Sequence, residues 1–171
     1  NDNEDKLNIF NKNFNIFFKI DHIYLDDEHE VKNFNGNLYL KNNEIFNGSL
    51  KALFSKNQRL NFTINSDQEG KITTFFLDKA EPIIKRYKFI KGYEGGSLDF
   101  YSIKKENKSI STLKIYDFKL KELPALTKLL TLASLQGIAD ILSGEGIRFD
   151  EFEMNFENEE SLMTIKEIYA I

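Results

Sequence analysis

The residues best suited to chemistry gather in one short stretch. His22 and His29 flank Asp21, Asp26, Asp27 and Glu28. Imidazole nitrogens and carboxylate oxygens ligate divalent metals, so the cluster is metal-ligand material. The same residues also suit an acidic hairpin turn with solvated histidines, and the sequence favours that reading. The chain has 2 His and no Cys. No nucleophile can therefore be matched to a base and an orienting group, and the chain is expected not to be an enzyme. Asp150-Glu151 and the acidic run 157–160 sit at a strand end and a turn, where charges are normally solvated. Ser143-Gly144-Glu145-Gly146 lacks the Lys-Ser/Thr of a phosphate loop. It would also close a helix, where the dipole repels anions. No cofactor and no metal are expected.

Composition narrows the classes further. The hydrophobic share is 41% with 16 Phe, enough apolar surface to offset the ordering entropy that keeps polar chains disordered. With a net charge of −4, the chain lacks the cationic excess that displaces counterions from a phosphate backbone, so no nucleic-acid partner is expected. The absence of Cys excludes disulfide scaffolds, zinc ribbons and thiol catalysis. No run of about twenty apolar residues is present to span a bilayer as a helix. The opening Asn1-Asp2-Asn3-Glu4-Asp5 is acidic and lacks an initiator Met. The chain reads as a fragment of a longer protein, with any targeting signal or anchor upstream.

The elements that must position these residues announce themselves by period-two alternation, the mark of strands with one apolar face. Phe14, Ile16, Phe18 and Ile20 alternate with Asn15, Phe17 and Lys19, and the phase breaks at Asp21-His22 before Ile23 and Leu25, as a bulge allows. Phe34, Gly36, Leu38 and Leu40 form the next row. Phe46, Gly48, Leu50, Ala52 and Phe54 follow, then Leu60, Phe62 and Ile64, then residues 72–77. Polar turns separate them, which predicts an antiparallel meander. A short helix is expected over 78–92, with Asp78 and Glu81 at capping-box spacing and Pro82 in the first turn. Strands resume at 98–103 and 110–120, where Leu113 and Ile115 oppose Tyr116 and Phe118 in phase. A longer helix is expected over about 123–143, apolar over more than half its circumference. Strands from Ile147 and over 162–168 close the chain.

Area then poses a problem. One face of nine or ten strands offers on the order of 1,200 Å² in projection, with strands ~4.8 Å apart. Helices of about twenty and twelve residues cover roughly 480 Å². A barrel, a sandwich or an open gutter holding an apolar ligand would each resolve the excess, and spacing alone does not choose.

The run from Leu113 to Ala170 adds a resemblance. Its carrying residues are Asp117-Phe118, Pro124-Ala125-Leu126, Leu129-Leu130, Leu132-Ala133-Ser134-Leu135, Gly137-Ile138, Ile141-Leu142-Ser143-Gly144-Glu145-Gly146-Ile147 and Phe149-Asp150. Together these resemble the C-terminal region of the AsmA-like superfamily. The upstream segment 80–96, ending in Gly95-Gly96, resembles it too, whereas residues 1–77 match only in strand pattern. The resemblance implies a mainly β fold with two helices: a meander curled into an open hydrophobic groove. The chain would be a single groove segment, made of a meander over 1–77, a short helix over 78–92, and strands plus the long helix over 93–171. It also implies a periplasmic protein of the Gram-negative envelope, tethered to the inner membrane through parts outside this chain. Such a protein would move phospholipids between inner and outer membrane, and no catalytic residues carry over.

On that reading acyl chains would lie against Phe14, Ile16, Phe18, Ile20, Phe34, Leu38, Leu40, Phe46, Leu50, Phe54, Leu60, Phe62 and Ile64. The long helix would plug the groove through Leu126, Leu129, Leu130, Ala133, Ile138 and Ile141. The competing expectation is a structural or assembly module of outer-membrane biogenesis. It would recruit envelope proteins through exposed sheet edges around Phe14 and Ile165.

Overall fold

The computed structural model describes residues 13–27, 29–42, 44–88, 90–121 and 146–171. The long helix expected over 123–143, with its proposed plug residues, lies outside them. The described residues form nine antiparallel strands in one sheet, in the order of the chain. They are β1 (Phe14–Tyr24), β2 (Glu30–Lys41), β3 (Glu44–Phe54), β4 (Arg59–Ser66), β5 (Lys71–Leu77), β6 (Tyr93–Lys105), β7 (Lys108–Leu120), β8 (Ile147–Glu159) and β9 (Leu162–Ala170). One helix, α1 (Glu81–Tyr87), interrupts the meander between β5 and β6. The sheet is open, since β1 and β9 are its two ends and do not pair with each other.

Short polar turns hold the hairpins. Asp67 accepts the backbone N–H groups of Glu69 and Gly70 at 2.8 and 3.0 Å, closing an Asx turn between β4 and β5. Between β2 and β3, Asn42 takes up the left-handed conformation at φ 52°.

α1 starts differently from the sequence expectation. Ala80, not Asp78, is its N-cap, and no side chain caps it. Asp78 instead reaches back to β4, where Arg59 donates from its backbone N–H at 2.8 Å and from Nε at 3.0 Å. Glu81 accepts the backbone N–H of Gly95 at 2.9 Å and pairs with Lys85 one turn on. Ala80 N–H donates to the Gly96 carbonyl at 2.7 Å, so the helix start is fastened to β6. The helix ends at Lys88, which is left-handed at φ 54°.

Two breaks of alternation shape the core. In the first, the sequence break at Asp21-His22 has a partner on β2, where the register with β3 shifts between Lys32 and Asn35. Asn33 there is left-handed, and Ile23 then pairs with Val31, and Val31 with Phe54. The second runs across three strands. Gly95, Phe118 and Phe149 pair in one row and Ser97, Tyr116 and Glu151 in the next, leaving Gly96, Asp117 and Asp150 unpaired between them. Phe118 therefore does not oppose Ile115 as the alternation predicted. Both are buried in one core, at 2% and 4% exposure. Tyr93, Phe118 and Phe149 stack in series, with ring centroids 5.5 and 5.0 Å apart. Leu77, Leu120, Ala80, Ile84 and Phe152 join them.

Candidate functional site

Residues directly opposite in an antiparallel pair share a face of the sheet. Following the pairings from strand to strand gives one row across the whole sheet: Phe18, Gly36, Leu50, Phe62, Phe75, Phe100, Leu113, Met154 and Ile168. Every position is apolar or glycine, and every one is half-buried. At ~4.8 Å per strand the row is ~38 Å long. Its side chains touch: the Phe62 and Phe75 rings meet edge-on at 6.1 Å. Gly36 leaves no gap, because a Cβ there would lie 2.9 Å from Leu50 Cδ2. Next to this row runs a more deeply buried one, in which Leu98 alone between Leu60 and Phe152 is half-buried. Leu60, Leu77, Ile115 and Phe152 are each at most 8% exposed.

On the other side of the half-buried row the face turns polar at its centre. Thr73, Ser102 and Ser111 occupy adjacent strands, and the Ser111 hydroxyl donates to Ser102 at 2.9 Å. The flanks stay apolar there, with Ile16, Leu38 and Ile64 on one side and Phe156 and Ile165 on the other.

The opposite face is mostly polar, with the exposed side chains of Phe17, Ile72 and Ile110 scattered on it. Phe17, Asn37, Ser49, Thr63, Thr74, Tyr101, Thr112, Asn155 and Glu167 form the row directly behind the apolar one, polar or hydroxyl-bearing at every position but Phe17. Thr63 and Thr74 hydroxyls meet at 2.7 Å, and Thr112 donates to Asn155 at 2.7 Å. Lys114 pairs with Glu153 at 2.7 Å, and Glu157 lies 3.0 Å from both Lys108 and Lys166. Hydrogen bonds from these lysines hold the Glu153 and Glu157 carboxyls below the usual range.

Most of the expected lining shares the apolar face. Ile16, Phe18 and Ile20 pair with Leu38, Gly36 and Phe34, and Phe14 pairs with Leu40. Three expected lining residues, Phe54, Leu60 and Ile64, are instead buried at 3, 8 and 7% exposure and belong to the core. Phe46 leaves the row altogether. A register shift between Tyr39 and Leu40 sets Ile45 opposite Leu40. The Phe46 ring then packs edge-on against Tyr39 at 6.0 Å, with the Lys41 ammonium over it at 5.2 Å. Alternation misses the half of the row on β5 to β9. Phe100, Leu113 and Met154 were legible as one phase of their strands, but Phe75 follows Thr74 and precedes Phe76, and only the register tells the two rings apart.

The histidine cluster resolves into two local contacts. His22 Nδ1 lies 3.2 Å from Glu30, and His29 Nδ1 lies 2.8 Å from Asp26. Among the described residues no group of three or more His, Asp or Glu side chains could hold a metal ion. Among them too, no helix is long and apolar enough to cross a membrane. No family model, no curated protein and no solved structure matches the chain.

Proposed function

We propose that this chain is a lipid-binding and lipid-conducting segment of a bacterial envelope protein, in which acyl chains lie against the apolar face of the sheet. The observation that carries the reading is the unbroken, half-buried apolar row from Phe18 to Ile168. Each CH₂ moved from water onto such a surface gains up to about 0.8 kcal/mol. The row repeats one kind of contact at every strand, so a chain can slide along it without meeting a deep well. The face offers few polar groups in this row, and the headgroup stays in water.

The resemblance of residues 113–170 to the AsmA-like superfamily supports the same reading and supplies its setting. On that basis the sheet is a curled groove plugged by the segment 123–143, and the cargo is phospholipid. The protein works in the periplasm, tethered to the inner membrane through parts outside this chain. The test is purification without detergent, followed by lipid extraction and native mass spectrometry. Bound phospholipid, or uptake of an added fluorescent phospholipid, is the expected result. Lipid-free protein that also refuses added lipid would overturn the reading.

A second reading, an assembly module that recruits envelope proteins, is favoured by one feature. Among the described residues β1 and β9 each pair on one side only. Crosslinking from Phe14 or Ile165 to an outer-membrane barrel, with lipid uptake absent, would select it.

A further inference from the structure

We propose that β9 is a self-recognition edge, through which two copies of this chain join by a two-fold antiparallel pairing into one continuous sheet. The inference does not depend on lipid binding. It starts from what β9 and the residue after it expose. Leu162, Met163, Ile165, Tyr169 and Ile171 are each about half exposed or more, at 67, 54, 50, 47 and 59%. Five exposed large apolar side chains on an edge that, among the described residues, pairs on one side only are a template for another strand.

The partner follows from the bulge in β9. Phe156 pairs with Ile165 and Asn155 with Glu167, so Lys166 is the extra residue and the phase changes there. Met163, Ile165, Ile168 and Ala170 lie on the apolar face, opposite Asn158, Phe156, Met154 and Phe152. Thr164, Glu167 and Tyr169 lie on the polar face. Lys166 joins them, because its ammonium lies 3.0 Å from Glu157. A strand that changes phase in the middle can pair with itself and match faces throughout only if the two-fold axis passes through the break. That register sets Lys166 against Glu167 of the second copy, Ile165 against Ile168, Thr164 against Tyr169, and Met163 against Ala170. Moving the axis by half a residue either way sets Lys166 against Lys166 or Glu167 against Glu167, and puts Ile165 opposite a polar-face residue.

The backbone agrees. Glu151 and Ile171 exchange N–H and C=O bonds, which assigns alternate residues of β8 to β9. By that alternation the partners of Phe152, Met154, Phe156 and Asn158 turn their N–H and C=O groups outward. These are Ala170, Ile168, Ile165 and Met163, the residues that the proposed register sets face to face. Four mutually bonded pairs result, on the order of eight backbone hydrogen bonds. Both apolar faces then lie on the same side of the joined sheet.

The chain has no native Cys, which makes the register directly readable. Thr164→Cys and Tyr169→Cys are made as separate variants. In the register above, residue 164 of one copy lies ~5 Å from residue 169 of the other, while two residues 164, or two residues 169, are ~17 Å apart. Under mild oxidation the mixed variants are expected to form a disulfide-linked dimer, and neither variant alone. Light scattering of the parent chain should give the mass of a dimer. Lys166→Glu should weaken self-association at least tenfold, and Lys166→Glu with Glu167→Lys should restore it, circular dichroism confirming that both stay folded. A monomer at all concentrations would overturn the proposal. So would crosslinking by either variant alone, or a charge swap without rescue.

Discussion

The adjacent rings Phe75 and Phe76 allow a matched perturbation of the two faces. Phe75 is the central residue of the half-buried row and pairs with Phe62 and Phe100. Phe76 lies on the other face, pairs with Asn61 and Asp99, and packs under the Arg59 guanidinium at 5.2 Å. Asn is the substitution of choice at both, because a carboxylate at 76 would face Asp99. A chain of about sixteen carbons fully withdrawn from water gains ~13 kcal/mol. One open face covers roughly half of it, leaving ~6 kcal/mol. An amide at the centre of the row wets its own position and part of each neighbouring one, a third to a half of the chain. The expected loss is ~2–3 kcal/mol, or roughly 30- to 150-fold weaker binding. The fold survives this change. Losing the edge-on contact with Phe62 costs ~1 kcal/mol, and a half-exposed ring contributes ~1–2 kcal/mol of burial. Titration with a fluorescent phospholipid, beside urea melts, measures both effects. Phe75→Asn should bind weakly while folded, and Phe76→Asn should bind like the parent. Equal binding by the two variants would refute the reasoning. So would complete unfolding of Phe75→Asn, which would mark its site as sealed core.

Other substitutions test the core and its attachments. Leu77 is fully buried, so Leu77→Ala should cost ~2–5 kcal/mol in urea unfolding, whereas Ile16→Ala at an open edge should cost ~1 kcal/mol or less. The Tyr93 hydroxyl is buried without a hydrogen-bond partner among the described residues, and desolvation raises its pKa far above the usual phenol range. Tyr93→Phe should therefore leave stability unchanged or raise it by ~1 kcal/mol. Gly96→Ala should cost at least ~2 kcal/mol, because φ is 73° and a Cβ would lie 2.3 Å from the Tyr93 hydroxyl and 2.9 Å from Phe118 Cβ. Asp78 has its pKa lowered first by the hydrogen bond from Arg59, and Glu44, Glu153 and Glu157 have theirs lowered by lysine hydrogen bonds. A depressed folded-state pKa gives stability that is present above the unfolded carboxylate value and lost as pH falls through the folded one. Thermal melts should thus hold steady from neutral pH down to about 5 and fall below about 4, with Asp78→Asn flattening part of that fall.

Much of the sheet was readable because its turns are polar and its strands alternate. Phe34, Gly36, Leu38 and Leu40 admit one phase only, and β2 adopts it. Reading failed where one extra residue changes the phase. Phe118 looks solvent-facing by parity from Ile115, yet Gly96, Asp117 and Asp150 drop out of pairing together and bring its ring inward. Phe46 fails for the converse reason, since a register shift that depends on β2 turns it toward Tyr39. Asp78 carries a capping signal that is locally valid, but a bidentate contact with Arg59 from β4 competes for the same carboxylate. Each failure is an instance of a distant strand deciding what a local pattern leaves open. The expected lining stops at Ile64 for the same reason: which ring of Phe75 and Phe76 continues the apolar row depends on pairing with β4 and β6.

The central claim is that acyl chains contact one face of this sheet and not the other. A photo-crosslinking phenylalanine analogue placed in cells at Phe100, in the half-buried row, and separately at Tyr101, on the polar face, tests it most directly. The account predicts phospholipid adducts at position 100 and none at position 101. Adducts at neither position, or equally at both, would contradict it.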